Sequence, residues 1–254
     1  MFDLKKAFIP FVVAGDPEYN TSKQIIKTLV DRGADMLEIG FAFSDPIADG
    51  PTIQFANNRA LASGMNSRKT FELIKEIRDY TDIPISILIY SNLIYQQGIE
   101  TFYRHAKEAG IDGVLVVDLP YEEAFEYIEA AHKHNINPVF LVAQTTTKER
   151  LKEILKSAKG YIYAVSVLGV TGARDNVGEE TIKLIKRIKS KTILPVAVGF
   201  GISNQEQAKQ IIDSGADGVI VGSAIIKLIE SNLKNKNKMI NEISRFVNKL
   251  QYRK

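Results

Sequence analysis

The stretch Ser214-Gly215-Ala216-Asp217-Gly218-Val219-Ile220-Val221-Gly222-Ser223 holds a helix end, a strand and the start of the next helix in one short run. A glycine after a helical segment can enter the left-handed conformation that stops the helix without a Cβ penalty. The apolar run at 219–221 is too short for a helix and shows no polar alternation, which suits a strand buried on both faces of a parallel sheet. The same junction recurs as Arg32-Gly33-Ala34-Asp35 and as Ala109-Gly110-Ile111-Asp112. Three helix-to-strand junctions of one design describe repeated βα units.

Outward from these junctions, eight short apolar runs lie at 8–13, 36–39, 85–90, 114–117, 138–142, 161–165, 195–198 and 219–221. Amphipathic segments separate them, with Ile25, Ile26, Leu29 and Val30, or Ile182, Ile185 and Ile188, at the spacing of a helix with one buried face. Ser203 with Glu206, and Thr146 with Glu149, are spaced as capping boxes at helix starts. No linker or fixed-period repeat interrupts the pattern. An open doubly wound sheet of eight strands is the alternative, but eight evenly spaced units in 254 residues predict a closed (β/α)8 TIM barrel of the α/β class. We read residues 1–254 as a single domain of this kind with extra short helices.

Composition narrows the function. Hydrophobic residues make up 45% and charged residues 25%, enough for a large core on a folded chain. Cysteine is absent, so disulfides and thiolate metal sites are excluded. The start, Met1-Phe2-Asp3-Leu4-Lys5-Lys6, reaches charge at once, and no later run approaches the ~20 apolar residues of a membrane span. A cytoplasmic location is expected, with no membrane contact. The net charge of +3 is mild, and Lys234, Lys236, Lys238, Lys249 and Lys254 flank an apolar stripe of Ile240, Ile243, Phe246, Val247 and Leu250. That is a solvated last helix rather than a nucleic-acid surface.

In a barrel of this type the chemistry sits where strands run into their following loops. The exits read Val13-Ala14-Gly15-Asp16, Glu38-Ile39-Gly40, Tyr90-Ser91-Asn92, Asp118-Leu119-Pro120, Val142-Ala143-Gln144, Ser166, Gly199-Phe200-Gly201 and Gly222-Ser223. No lysine stands at an exit, which argues against Schiff-base chemistry. His105, His132 and His134 all fall in segments read as helical, so no metal site is expected. Carboxylates remain. Strand alternation puts Glu38 on the face opposite Leu37 and Ile39. Either it points into the barrel mouth, where desolvation would raise its pKa toward neutrality, or it is a structural glutamate paired with a cation. Asp45 and Asp49, before Pro46 and Gly50, read on their own as turn residues rather than catalytic ones.

The phosphate signal is stronger. Gly169-Val170-Thr171-Gly172, Gly199-Phe200-Gly201 and Gly222-Ser223 are glycine turns in the last three loops, and a helix starting at Ser223 would aim its N-terminal dipole at an anion. Phe11, Leu88, Tyr90, Leu115, Val117, Leu141, Tyr163 and Phe200 make the rest of the mouth apolar, as a flat aromatic group would require or as ordinary core would.

Leu37-Glu38-Ile39-Gly40 followed by Phe43-Ser44-Asp45-Pro46-Ile47-Ala48-Asp49-Gly50-Pro51-Thr52-Ile53-Gln54 closely resembles the tryptophan synthase α-subunit family. Phe8-Ile9-Pro10-Phe11, Gly15-Asp16-Pro17, Val116-Val117-Asp118-Leu119-Pro120, Gly169-Val170-Thr171-Gly172-Ala173-Arg174 and Gly199-Phe200-Gly201-Ile202-Ser203 extend the resemblance, in order, over the whole length. The resemblance implies a carbon–carbon lyase of tryptophan biosynthesis. Such an enzyme cleaves indole-3-glycerol phosphate to indole and glyceraldehyde 3-phosphate by a retro-aldol reaction without metal or Schiff base. By similarity Glu38 would shuttle protons at the indole C3 and the glycerol hydroxyl, and Asp49 would hold or deprotonate the indole N–H. Gly172, Gly201, Gly222 and Ser223 would bind phosphate. Phe11, Leu88, Tyr90, Leu115, Tyr163 and Phe200 would bind the indole. The loop 171–178 would be a lid in which Thr171 meets Asp49. The family further implies a β subunit that carries pyridoxal phosphate and receives indole within an α2β2 assembly, with no cofactor on this chain. The loop after the second strand and the region of Asp118 would face that partner. Ala42, Val13, Gln144 and Leu168 depart from residues common in the family, and none is a proposed catalytic group. Two other readings are another phosphate-binding barrel, such as a sugar-phosphate isomerase or the indole-3-glycerol-phosphate synthase, and a catalytically silent regulatory subunit. That synthase would want lysine at strand exits, and retention of Glu38 and Asp49 argues against the silent subunit.

Overall fold

Each of the eight apolar runs becomes a strand in the computed structural model, which describes residues 2–165, 178–199 and 201–250. The strands are β1 (Ala7–Val13), β2 (Leu37–Gly40), β3 (Ile85–Ile89), β4 (Gly113–Val116), β5 (Asn137–Val142), β6 (Ile162–Val165), β7 (Val196–Gly199) and β8 (Gly218–Val221). They pair in sequence order, all parallel, and β8 closes on β1, so the sheet is a barrel and not an open doubly wound sheet. The core is continuous through the barrel and into the surrounding helices.

Helices α1 (Tyr19–Asp31), α2 (Pro51–Ala62) and α3 (Ser67–Arg78) precede β3. Between β3 and β4 lie the short α4 (Ser91–Tyr95) and α5 (Ile99–Glu108). The helices α6 (Phe125–Lys133), α7 (Lys148–Ser157), α8 (Glu179–Lys189) and α9 (Gln205–Asp213) alternate with the later strands. Last come α10 (Ser223–Glu230) and α11 (Lys236–Lys249), whose Met239, Ile243 and Val247 are buried; the apolar stripe of the last helix thus packs inward, with α11 against α1.

The Gly-x-Asp junctions show why their two fixed residues recur. Gly33, Gly110 and Gly215 all have positive φ and end their helices. The aspartates that follow each exchange two hydrogen bonds with one residue of the preceding strand. Asp35 Oδ2 accepts from Phe8 N at 2.6 Å while its own N donates to Phe8 O at 3.0 Å. Asp112 does the same with Ile85, at 2.9 and 2.8 Å, and Asp217 with Val196, at 2.8 and 2.8 Å. The backbone amide at the start of one strand would otherwise face the barrel floor without a ladder partner. Arg78 adds a 2.6 Å ion pair to Asp112, and Lys189 a 2.7 Å pair to Asp217.

Three local expectations need correction. The caps are displaced by one residue: Thr147, not Thr146, accepts from Arg150 N, and Asn204, not Ser203, accepts from Gln207 N. Thr146 Oγ1 instead accepts from Ala143 N inside the loop. Gln207 Oε1 accepts in turn from Ser203 N at 2.9 Å, one residue before the cap, so the helix start is held from both sides without a reciprocal box. His134 lies just past α6, not within it, and its ring meets Glu100 at 2.8 Å.

Asp112→Ala should lower stability by about 2–3 kcal/mol, because it leaves a buried strand amide without its acceptor and Arg78 without its only carboxylate among the described residues. The exposed neighbour change Asp82→Ala should stay within about 0.5 kcal/mol. Urea unfolding of both variants measures the difference, and equal midpoints would refute the clamp.

Candidate active site

The C-terminal ends of the strands surround a cavity of about 160 Å³ that opens to solvent, lined by Phe11, Glu38, Asp49, Gly50, Ile53, Leu88, Tyr163, Gly201, Ile220, Gly222 and Ser223. Strand register builds its wall. Phe11 on β1 pairs with Glu38 on β2, and Glu38 with Ser86 on β3, so these residues share one layer of the barrel. Two aromatic rings enter where a Cβ is missing. A Cβ on Gly40 or on Gly222 would come within 2.9 Å of the Phe11 ring, and one on Gly199 would fall 2.0 Å from the Tyr163 hydroxyl. The glycines at the exits of β2, β7 and β8 therefore make room for side chains as well as for any ligand.

Glu38 is 1% exposed. Its Oε1 accepts a 2.9 Å hydrogen bond from the Tyr161 hydroxyl, and Ser86 Oγ lies 3.4 Å from the same hydroxyl. Its Oε2 is buried with no partner. Burial pushes the carboxyl up to about 8, against the smaller opposing pull of the Tyr161 hydrogen bond, and no cation among the described residues contributes. The reading of Glu38 as one half of an ion pair therefore falls, and the mouth-facing reading stands.

Asp49 sits at the turn before α2. Its carboxyl is also raised by burial, with hydrogen bonds to Tyr90 and Asn57 acting in the opposite direction. Asn57 Nδ2 lies 3.3 Å from Asp49 Oδ2, while Asn57 Oδ1 accepts from Phe43 N at 3.2 Å; one buried amide thus ties the two ends of the 43–49 loop. Tyr90 accepts from Ala48 N at 3.1 Å and stacks on Phe43, with ring centroids 5.0 Å apart. The turn reading of Asp49 is met, and the turn brings its carboxylate to the cavity wall.

Helix α10 begins at the cavity with Gly222 as its N-cap and no side chain capping it, so its first backbone amides stay open to an acceptor. Its far end is tied down. Asp16, buried at the exit of β1, takes a two-pronged pair from Arg59 of α2 at 2.7 and 2.9 Å, and Arg59 also lies 3.7 Å from Glu230, the last residue of α10. The two helices that start beside the cavity are thereby fastened to each other and to the barrel.

Of the side chains expected at the site, Phe11, Glu38, Asp49, Leu88, Tyr163, Gly201, Gly222 and Ser223 come together around the cavity. Tyr90 stands behind the Asp49 loop, and Leu115 pairs with Leu88 in the buried barrel wall; neither lines the cavity. Thr171, Gly172 and Phe200 lie outside the described residues. Sequence reasoning missed Tyr161, Ser86, Asn57, Ile53 and Ile220. Tyr161 was within reach, since it stands two residues before Tyr163 and alternation puts both on one face. Asn57 had no signal, because its partners are eight and fourteen residues away across a turn. Among the described residues no cluster of three or more His, Cys, Asp and Glu side chains could hold a metal ion, and no helix is long and apolar enough to cross a membrane.

Comparison with known proteins agrees with this geometry. The family model described as Tryptophan synthase alpha chain matches residues 2–253. The tryptophan synthase alpha chain of Methanothermobacter thermautotrophicus is 55% identical over 93% of this chain and 88% of its own length. That of Methanoregula boonei is 52% identical over 96% and 92%. In a solved structure of the tryptophan synthase α2β2 complex of Pyrococcus furiosus, one chain superposes with a TM-score of 0.92 at 40% identity, covering 98% of this chain and 99% of that one. With a closed barrel, a buried glutamate facing its mouth and a match over nearly every residue, this chain belongs to the tryptophan synthase alpha chain family.

Proposed function

We propose that the chain is the lyase of the α reaction: it cleaves indole-3-glycerol phosphate to indole and glyceraldehyde 3-phosphate by acid–base chemistry at Glu38 and Asp49. The observation that carries the reading is the state of Glu38, a cavity-lining carboxyl held largely protonated at neutral pH by burial, with one oxygen engaged by Tyr161 and the other unengaged. A neutral carboxylic acid there can begin as the proton donor. Glu38 delivers its proton to the indole C3, and the ring nitrogen takes on positive charge, which the Asp49 carboxylate holds through the N–H. The Glu38 carboxylate then accepts the proton of the side-chain hydroxyl next to the ring. The carbon–carbon bond breaks, its electron pair returns to the ring, and the hydroxyl carbon leaves as the aldehyde.

Phe11, Leu88, Tyr163 and Ile220 offer an apolar wall for the indole, joined in this reading by Phe200, with Tyr90 and Leu115 supporting it from behind. The open amides of α10 with Ser223, and Gly201 beside them, suit the phosphate. Gly172 and Thr171 complete this reading as phosphate donor and lid contact. No lysine lines the cavity among the described residues, so its donors do not fit a Schiff-base cofactor; pyridoxal phosphate is assigned to a β-subunit partner, which consumes the indole. The exposed apolar residues Ile47, Phe55, Tyr95 and Phe125 all follow strands β2 to β4, and a surface of that kind suits an α2β2 interface. We place the enzyme in the cytoplasm.

Glu38→Gln should fold and lose about 10²- to 10⁴-fold in indole release from indole-3-glycerol phosphate, read with and without a β subunit. Release unchanged in the variant would exclude Glu38 as the proton carrier, and none from folded wild type with a competent partner would exclude the lyase. The same variant has a signature in stability. Because the folded-state pKa is raised from the ordinary 4.5 to about 8, the stabilising contribution of Glu38 is complete below 4.5 and is lost as pH rises through 8. Wild type should therefore weaken relative to Glu38→Gln over that range in urea unfolding, whereas a difference constant with pH would contradict the raised pKa. Finally, Phe125→Asp should weaken β-subunit association about tenfold or more while indole release by the chain alone stays at the wild-type level; titration calorimetry with the β subunit checks it.

A further inference from the structure

Phe2 lies far from the cavity, at the opposite end of the barrel. Its N donates to Gly160 O at 3.3 Å, and its ring rests in a cradle made by two glycines at the starts of strands. A Cβ on Gly160 would approach the Phe2 ring to 3.1 Å, and one on Gly113 would lie 3.3 Å from the ring and 3.3 Å from Ser86 Oγ. The Phe2 and Tyr161 rings are 6.0 Å apart, tilted by 36°. Phe2 is 8% exposed, while Tyr161 and Ser86 are wholly buried. A line of contacts thus runs from the floor of the barrel through Phe2 and Tyr161 to Oε1 of Glu38.

We propose that Phe2 is a positioning residue for Glu38: its ring seals the barrel floor under Tyr161, holding the tyrosine hydroxyl on the carboxyl and keeping water from reaching it from below. The inference rests on Glu38 being the proton carrier of the site and names what maintains it. Removing the ring would open a gap of aromatic size beside Tyr161 and Ser86. That gap would border the Tyr161 ring and lie across Gly113 from the Ser86 hydroxyl, which gives an entering water a polar partner on the way to the Tyr161 hydroxyl and Glu38. The groups facing Glu38 are Tyr161 just before β6, Tyr163 of β6, Ser86 of β3 and, across the cavity, Asp49; none among the described residues is cationic. Access of water is then the variable that sets how readily the carboxyl ionises, and wetting the floor favours the charged form.

The test reads Glu38 itself without substrate. Infrared difference spectra of the protonated carboxyl stretch, wild type against Glu38→Gln across a pH titration, give the midpoint for the full chain. The midpoint should fall by about one pH unit or more in Phe2→Ala and stay near the wild-type value in Phe2→Leu, which refills most of the gap. The Glu38 limb of the pH profile for indole release should move by the same amount. Phe2→Val opens a smaller gap and carries the test should Phe2→Ala not fold; it must shift the midpoint in the same direction by less. An unmoved midpoint in a folded truncation overturns the proposal, even if the variant has lost stability or activity. Since the midpoint is read without substrate, failure of the lyase reading would leave the shift intact, and the two outcomes are separable.

Discussion

A carboxyl group inside a closed barrel, with one hydroxyl as its hydrogen-bond partner and no cation among the described residues to neutralise it, sets the terms for the rest of the site. Charging such a group is costly in a dry interior, so the fold stabilises its neutral form. The cost falls on the alkaline side, where folding must hold a group that water would ionise. A barrel can bear this because its strands are locked elsewhere. The stability lies at the floor and in the helices, and the unfavourable group lies at the layer next to the mouth, where a proton can leave or arrive.

Division between floor and mouth recurs throughout the chain. At the floor, Asp35, Asp112 and Asp217 reach back to the preceding strand and bind its first amide and carbonyl. These contacts are rigid and saturated. At the mouth, among the described residues, the N-terminus of α10 has no side-chain cap and Glu38 Oε2 has no partner. Polar groups left without partners at one end of a well-satisfied barrel are groups available to a ligand. The Asp16–Arg59–Glu230 cluster belongs to the saturated class, although it sits on the elements of the mouth. By joining α2 to α10 it keeps the Asp49 turn and the open helix end at a constant separation, which a loop alone would not maintain.

Much of this was legible from residue order. The three Gly-x-Asp junctions and the eight apolar runs each rest on a local rule, and each was met in place. The capping residues were off by one, because Thr146 and Ser203 as well as Thr147 and Asn204 can accept an amide, and only the path of the loop decides between neighbours. Tyr90 and Leu115 read as lining because strand exits face the mouth in general. The real depth of each depends on the bulk beside it: the Phe43–Tyr90 stack places Tyr90 behind the Asp49 loop.

Sequence alone determined the repeating βα architecture and the absence of lysine at strand exits, because these follow from periodicity and residue chemistry within a few positions, whereas the pairing of Glu38 with Asp49 came only from the family resemblance. Only the tertiary structure decided that Glu38 has Tyr161 and not a cation for its partner, that Asn57 spans the Asp49 turn, and that Phe2 lies under Tyr161. Those pairings join residues as much as 159 positions apart in the chain, and no local rule relates them. Barrel closure brings β2, which carries Glu38, and the start of β6, beside Tyr161, around one interior, and the solvent excluded from it sets the acidity of Glu38.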